Sequence, residues 1–206
     1  MTDTAAIAAW LADYSSVVHE NSALLTDLDR QIGDADHGSN MERGMTAVAA
    51  LDPAAHAEPS SLLKAAGMTL VSTVGGASGP LFGTFFLRFA TVATGPEISP
   101  EQFAAGLEAG LAGVVARGKA AEGDKTMIDA LAPAVRACQE AIAGGADLKQ
   151  ALQKAAEAAA RGRDATVPMI AHKGRASYLG ERSQGVQDPG ATSVALLIDS
   201  AARTLG

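Results

Sequence analysis

Three carboxylates fall close together in the segment Leu28-Asp29-Arg30-Gln31-Ile32-Gly33-Asp34-Ala35-Asp36-His37-Gly38-Ser39-Asn40. Asp29, Asp34 and Asp36 are not spaced to share one helical face, and Gly33 and Gly38 permit loop conformations, so a loop over residues 29–38 is expected to fold them together. Carboxylates gathered in this way repel one another until a cation neutralises them. An all-oxygen ligand set selects a hard ion such as Mg²⁺, Mn²⁺ or Ca²⁺. An EF-hand would need an acidic residue at its twelfth loop position, which counted from Asp34 is Met45. Magnesium shared with nucleotide phosphates fits better, because Mg²⁺ keeps several waters and takes few protein carboxylates. For any one of these aspartates, solvation or helix capping is the simpler explanation; three of them, with a histidine and two glycines, favour a metal site. His37 alone is weak evidence, and Ser39 and Asn40 fit either a helix cap or a phosphate contact.

Further along, Gly75-Gly76-Ala77-Ser78-Gly79-Pro80 precedes an apolar helix. Glycines let successive N–H groups point at one anion, and a following helix N-terminus adds its dipole; a tight packing turn explains the same glycines equally well. No Lys-Ser or Lys-Thr follows as a P-loop requires, and no G-x-G-x-x-G follows a strand, which disfavours P-loop kinases and Rossmann dehydrogenases. Gly123-Asp124-Lys125-Thr126-Met127-Ile128-Asp129 opens another helix; it reads as a cap with surface charge, and Met127 as core or as cover for an adenine ring. His172, Lys173, Arg175 and Arg182 form a basic cluster able to clamp phosphates or simply to face solvent.

These groups belong to a chain of 206 residues, 48% hydrophobic and 19% charged, with only 4% aromatics. That is enough for one sizeable core, and small side chains favour closely packed helices over a sheet. A net charge of −7 disfavours nucleic acid and anionic membranes as partners. Cys138 is alone and has no partner for an internal disulfide. The first twenty residues lack Lys and Arg, unlike a signal peptide, and the apolar run Leu81 to Thr94 is broken by Arg88. A cytoplasmic location is the expectation.

The elements are read from helical periodicity. Ile7, Trp10, Leu11, Tyr14, Val17, Val18, Leu24, Leu25 and Leu28 make one long stripe. Further helices are predicted over about Ser39 to Leu51, over about Ser60 to Val71, and from Pro80. Others start behind Ser99 (a capping box with Gln102), behind Asp124, behind Asp147 and near Thr192. No segment alternates as a strand. The result is an all-α bundle of about eight antiparallel helices in one domain spanning residues 1–206. The stretch from Thr166 to Gly190 is a long loop, and such loops are commonly functional.

Four segments in order, GDADHGSNMERG, GGASGPLFGT, GDKTMIDAL and HKGRASYLGERSQGVQDPGATS, resemble the nucleotide-binding subunit of bacterial dihydroxyacetone kinase and the C-terminal domain of the fused ATP-dependent kinases. The resemblance covers essentially the whole chain; Ala35 stands where the family often has a glycine, a change expected to matter little. It implies a barrel of eight antiparallel helices with the nucleotide at one end. It implies two Mg²⁺ ions held by Asp29, Asp34 and Asp36, with His37, Gly38, Ser39 and Asn40 lining the nucleotide site. Ala77, Ser78 and Gly79 would contact phosphate, Gly118 and Met127 would flank adenine, and Arg175, Asp188, Pro189 and Gly190 would come from a capping loop. No residue is implied as a nucleophile. A chain of this length resembles the phosphotransferase-dependent version, in which ADP is a resident coenzyme rephosphorylated by a phosphohistidine donor M subunit. The ATP so formed passes its γ-phosphate to dihydroxyacetone held on a K subunit. The resemblance also leaves room for docking on a transcriptional regulator, for another small polyol as substrate, and for a homodimer.

Overall fold

The computed structural model describes residues 1–205, and among them eight α-helices carry almost all the ordered backbone. They are α1 (Thr4–Ile32), α2 (His37–Ala49), α3 (Pro59–Thr73), α4 (Ser78–Ala90), α5 (Pro100–Gly118), α6 (Ile128–Ala143), α7 (Leu148–Ala165) and α8 (Pro189–Thr204). Two short 3₁₀ stretches, Pro53–Ala55 and Arg175–Ser183, lie in the connections. The all-α expectation holds with one small exception. Strands β1 (Thr2–Asp3) and β2 (Glu97–Ile98) pair antiparallel, Thr2 opposite Ile98, a ladder too short to show as alternation in sequence.

Each helix packs on the next in the chain, and α8 returns to pack on α1, closing a ring. Between helices that follow one another through short connections, antiparallel packing is the natural geometry. The closure rests on α1. The Trp10 indole N–H donates to the Leu197 carbonyl at 3.1 Å and the Tyr14 hydroxyl to the Ser193 carbonyl at 3.1 Å, both buried. Trp10 also meets Phe86, Phe89 and Phe103 with ring centroids 5.7–6.2 Å apart. Most of the few aromatics are thus concentrated in one place, with Tyr178 exposed elsewhere, and small residues make room for them. A Cβ on Gly106 would lie 2.6 Å from the Phe89 ring, and one on Gly110 2.4 Å from Phe85.

Several boundaries differ from the sequence expectation. Asp29 is not in a loop: α1 continues through Arg30, Gln31 and Ile32, all tolerated in a helix, and stops at Gly33. Helix α2 starts at His37, two residues before Ser39. Asp124 does not cap α6; its carboxylate accepts the Ala121 N–H at 2.8 Å instead. Asp188 caps α8 with Pro189 as the first helical residue, so that helix begins earlier than Thr192. The capping boxes Ser99–Gln102 and Asp147–Gln150 form as read.

Helix α7 approaches α6 so closely at Gly162 that an added Cβ would lie 2.1 Å from the Asp129 carbonyl. Gly162→Ala is therefore expected to destabilise the protein by about 1–3 kcal/mol, measured as a fall in the urea midpoint at unchanged slope.

Candidate functional site

Antiparallel succession puts the α1–α2, α3–α4, α5–α6 and α7–α8 connections at the same end of the ring. There they surround a cavity of about 400 Å³.

The first wall is the carboxylate turn. Asp29, in the last turn of α1, is buried, and its Oδ2 accepts the N–H groups of Asp36 at 2.9 Å and His37 at 3.1 Å. Those bonds bend residues 33–36 back over the helix end, and one oxygen each from Asp29, Asp34 and Asp36 then lies within 4.8 Å of the others. Gly33 is required here, since a Cβ would stand 2.0 Å from Asp29 Oδ1. Ala35 takes a left-handed φ of 65°, a conformation that costs an L-residue about 1–2 kcal/mol. The alanine therefore carries a local cost, in correction of the expectation that it matters little. Arg175 reaches across from the opposite connection, its Nε 2.7 Å from Asp34 Oδ2.

The second wall is the glycine-rich turn at the start of α4. Gly75, Gly76, Ala77 and Ser78 line the cavity. Ser78 Oγ is held by His37 Nδ1 at 2.9 Å, and His37 Nε2 lies 2.7 Å from Ser193 Oγ on α8. His37 is buried between these hydroxyls, and burial lowers its pKa against the raising influence of Asp29 and Asp36. The third wall is the α5–α6 connection with Gly118 and Met127. Met127 is both core and cavity lining, since it is almost fully buried. The fourth comprises Arg175, Asp188, Pro189 and Gly190.

Four residues expected at the site do not line the cavity. Gly38 packs beneath α1, where a Cβ would meet the Ser22 carbonyl at 2.1 Å, and Gly79 packs on the Val74 carbonyl in the same way at 2.2 Å. Ser39 Oγ donates to the Asp36 carbonyl at 3.0 Å, and Asn40 Oδ1 accepts from Arg43 at 2.5 Å beside the glycine turn. They shape the two turns from behind.

The sequence reading missed Lys125 and Asp129. Lys125 reads as surface charge in the sequence but is 1% exposed. Asp129 is buried, and its carboxylate accepts the N–H groups of Gly123 at 2.6 Å and Thr126 at 2.7 Å, which folds the α5–α6 connection. The spacing Thr126-x-x-Asp129 is the signal that was available, since it is a capping-box pattern ahead of an apolar run.

A family model described as the DAK2 domain matches residues 31–203. The ADP-binding subunit DhaL of the PEP-dependent dihydroxyacetone kinase of Escherichia coli (strain K12) is 46% identical over 93% of this chain and 92% of that protein. Its counterpart in kinase 1 of Listeria innocua is 45% identical over 95% and 93%. The crystal structure of the dihydroxyacetone kinase of C. freundii in complex with AMP-PNP and Mg²⁺ matches with a TM-score of 0.72 and 28% identity over 97% of this chain. This chain spans 34% of that larger one. No described helix is long and apolar enough to cross a membrane.

Asp188 gives the site a pH dependence. Burial pushes its carboxyl up to about 7, opposed by the Ala191 N–H it caps and by Lys125, and reinforced by Asp129. The folded chain thus holds a proton on Asp188 that the unfolded chain releases near its ordinary value of 3.8. Between those values the folded state binds more protons, so this group's contribution to stability declines as pH rises. Asp188→Asn keeps the capping oxygen and removes the charge. Thermal midpoints measured from pH 5 to 8 are expected to fall more steeply in the parent than in Asp188→Asn; equal slopes would show that Asp188 is ionised throughout.

Proposed function

Because this chain belongs to the DAK2 domain family, we propose that it is the ADP-binding subunit of a PEP-dependent dihydroxyacetone kinase. Its partners are a K subunit that holds dihydroxyacetone and an M subunit that donates phosphate from a histidine. The observation that carries this reading is the convergence of Asp29, Asp34 and Asp36 within 4.8 Å on the rim of the cavity. Identities of 46% and 45% with ADP-binding subunits, against 28% with the larger C. freundii kinase, favour the PEP-dependent form.

The donor set suits magnesium. All three ligand groups are carboxylates, and Asp29 keeps Oδ1 free of N–H donors because both of its hydrogen bonds fall on Oδ2. These three aspartates would hold two Mg²⁺ ions. Ala77 and Ser78 would meet the phosphates at the start of α4, with Gly118 and Met127 against adenine. When bound, the magnesium–nucleotide supplies the phosphoryl group and neutralises charge on its oxygens.

The chain's own residues do the positioning. His37 fixes Ser78, and Asp188 starts α8 beneath the cavity. Arg175 is within reach of the same rim as Asp34, where a guanidinium can bind phosphate oxygens. No side chain of this subunit acts as nucleophile; that role falls to a hydroxyl of the substrate on the K subunit. ADP stays as a coenzyme and is rephosphorylated in place.

Heating the purified protein and passing the supernatant over anion exchange is expected to release about one ADP per chain; a nucleotide-free preparation that also fails to bind added Mg-ADP overturns the reading. Mixing the chain with a K-type subunit, the phosphohistidine donor and dihydroxyacetone is expected to yield dihydroxyacetone phosphate. Asp34→Asn is expected to leave the helical circular dichroism unchanged and to weaken Mg-ADP binding by more than about a hundredfold, since even groups that only support metal ligands cost 10–100-fold. Equal ADP retention by mutant and parent through gel filtration would remove Asp34 from the metal site.

A further inference from the structure

The connection from Thr166 to Asp188 places Lys173, Gly174 and Arg175 over the cavity, and its base is tied by an unusual anchor. Lys125 Nζ donates to the carbonyls of Thr166 at 2.8 Å, Met169 at 3.2 Å and Val186 at 2.6 Å. An ammonium has three N–H donors, and all three are thereby committed to backbone oxygens. The first two acceptors lie on the incoming stem of the connection and the third on the outgoing stem. Although the lysine borders the cavity, it has no donor left for a phosphate.

The residue occupies this place against two costs. Its ammonium is buried, which lowers its pKa despite the nearby Asp188, and its backbone adopts a left-handed φ of 60°. A strained non-glycine residue persists only where its surroundings over-determine it. Here the compensation is visible. Thr166 follows the last residue of α7, where carbonyls lack intrahelical partners and the helix dipole favours a cation. Next to it, the Asp124 carbonyl accepts the His172 N–H at 3.0 Å. Lys125 itself sits between Ala120 and Met127, which form another cavity wall.

We propose that Lys125 is a positioning residue that joins the α5–α6 wall and the 166–188 cap into one unit, and thereby sets how long a nucleotide stays in the cavity without touching it. This rests on the nucleotide-site reading above. Given it, the nucleotide can leave only when the cap and the wall part, and Lys125 is the strongest link between them, because hydrogen bonds from a charged donor are roughly twice as strong as neutral ones.

The test uses the full chain and N-methylanthraniloyl-ADP with Mg²⁺, chased by ADP in stopped flow. Lys125→Met is expected to keep its helical circular dichroism, to release the fluorescent ADP roughly tenfold to hundredfold faster, as loss of charge-assisted bonds implies, and to be cut faster by trypsin within 173–182. Rescue is tested with Lys125→Cys in a Cys138→Ala background: alkylation with 2-bromoethylamine restores an ammonium and is expected to restore slow release, which a merely destabilised fold would not give. Unchanged release and unchanged cleavage in Lys125→Met overturn the proposal while leaving the nucleotide reading intact; a parent protein that does not bind the probe fails that reading instead. Should Lys125→Met lose its helical signal, hydrogen exchange on the parent decides. Amides of 120–127 and of 166–188 are expected to open with one common free energy that rises equally on adding ADP, and independent opening overturns the proposal.

Discussion

The structure depends on the seam between the first and last helices. Trp10 and Tyr14 of α1 each donate a buried hydrogen bond to a backbone carbonyl of α8. Burying an indole or a phenol without a partner is costly, so these bonds fix the relative height of the two helices as well as their contact. Closing the ring at that height makes a rim out of four connections that are far apart in the chain. Ser193 shows the coupling directly: its carbonyl accepts from Tyr14 while its hydroxyl holds His37 at the edge of the cavity. The packing that completes the fold is therefore continuous with the polar links that shape the site.

At the rim, backbone chemistry does most of the organising. Asp29 and Asp129 are the same device used twice, each a buried carboxylate accepting two N–H groups of a tight connection. Charge-assisted bonds of this kind are shorter and stronger than neutral ones, which suits them to hold turns that carry no core of their own. Lys125 inverts the device, a buried cation gathering three carbonyls. The two walls that must stay apart to leave a cavity are thus each braced by a buried carboxylate, and Lys125 ties one of them to the cap.

The helical class, the order of the elements and two capping boxes were legible because they are local. Ser99 and Gln102 sit three residues apart, as do Asp147 and Gln150, and the chemistry follows from that spacing. The clustering of Asp29, Asp34 and Asp36 was legible for the same reason, although α1 runs past Asp29 to Gly33 and holds it on the helix rather than in the loop. Asp188-Pro189 repeats the cap-then-proline pattern of Ser99-Pro100 and was open to the same reading. What the sequence withheld is long-range: His37 meets Ser193 at a separation of 156 residues, and Lys125 meets Val186 at 61. No periodicity encodes such pairs, and a lysine beside an aspartate in a glycine-led turn resembles solvated surface until the fold buries it. Gly38 and Gly79 show the opposite error, since they occur within conspicuous motifs yet serve close packing.

The guanidinium of Arg175 on Asp34 changes what an affinity at this rim means. On the proposed reading, a divalent ion arriving there would not meet bare negative charge; it would have to displace a tethered monovalent one. Binding would then be an exchange, weaker than the raw attraction by whatever the arginine gives up. The displaced guanidinium would be free to pair with another anion, a phosphate oxygen among them. Occupancy and the posture of the overlying segment would in this way be two readings of a single swap of counter-ions.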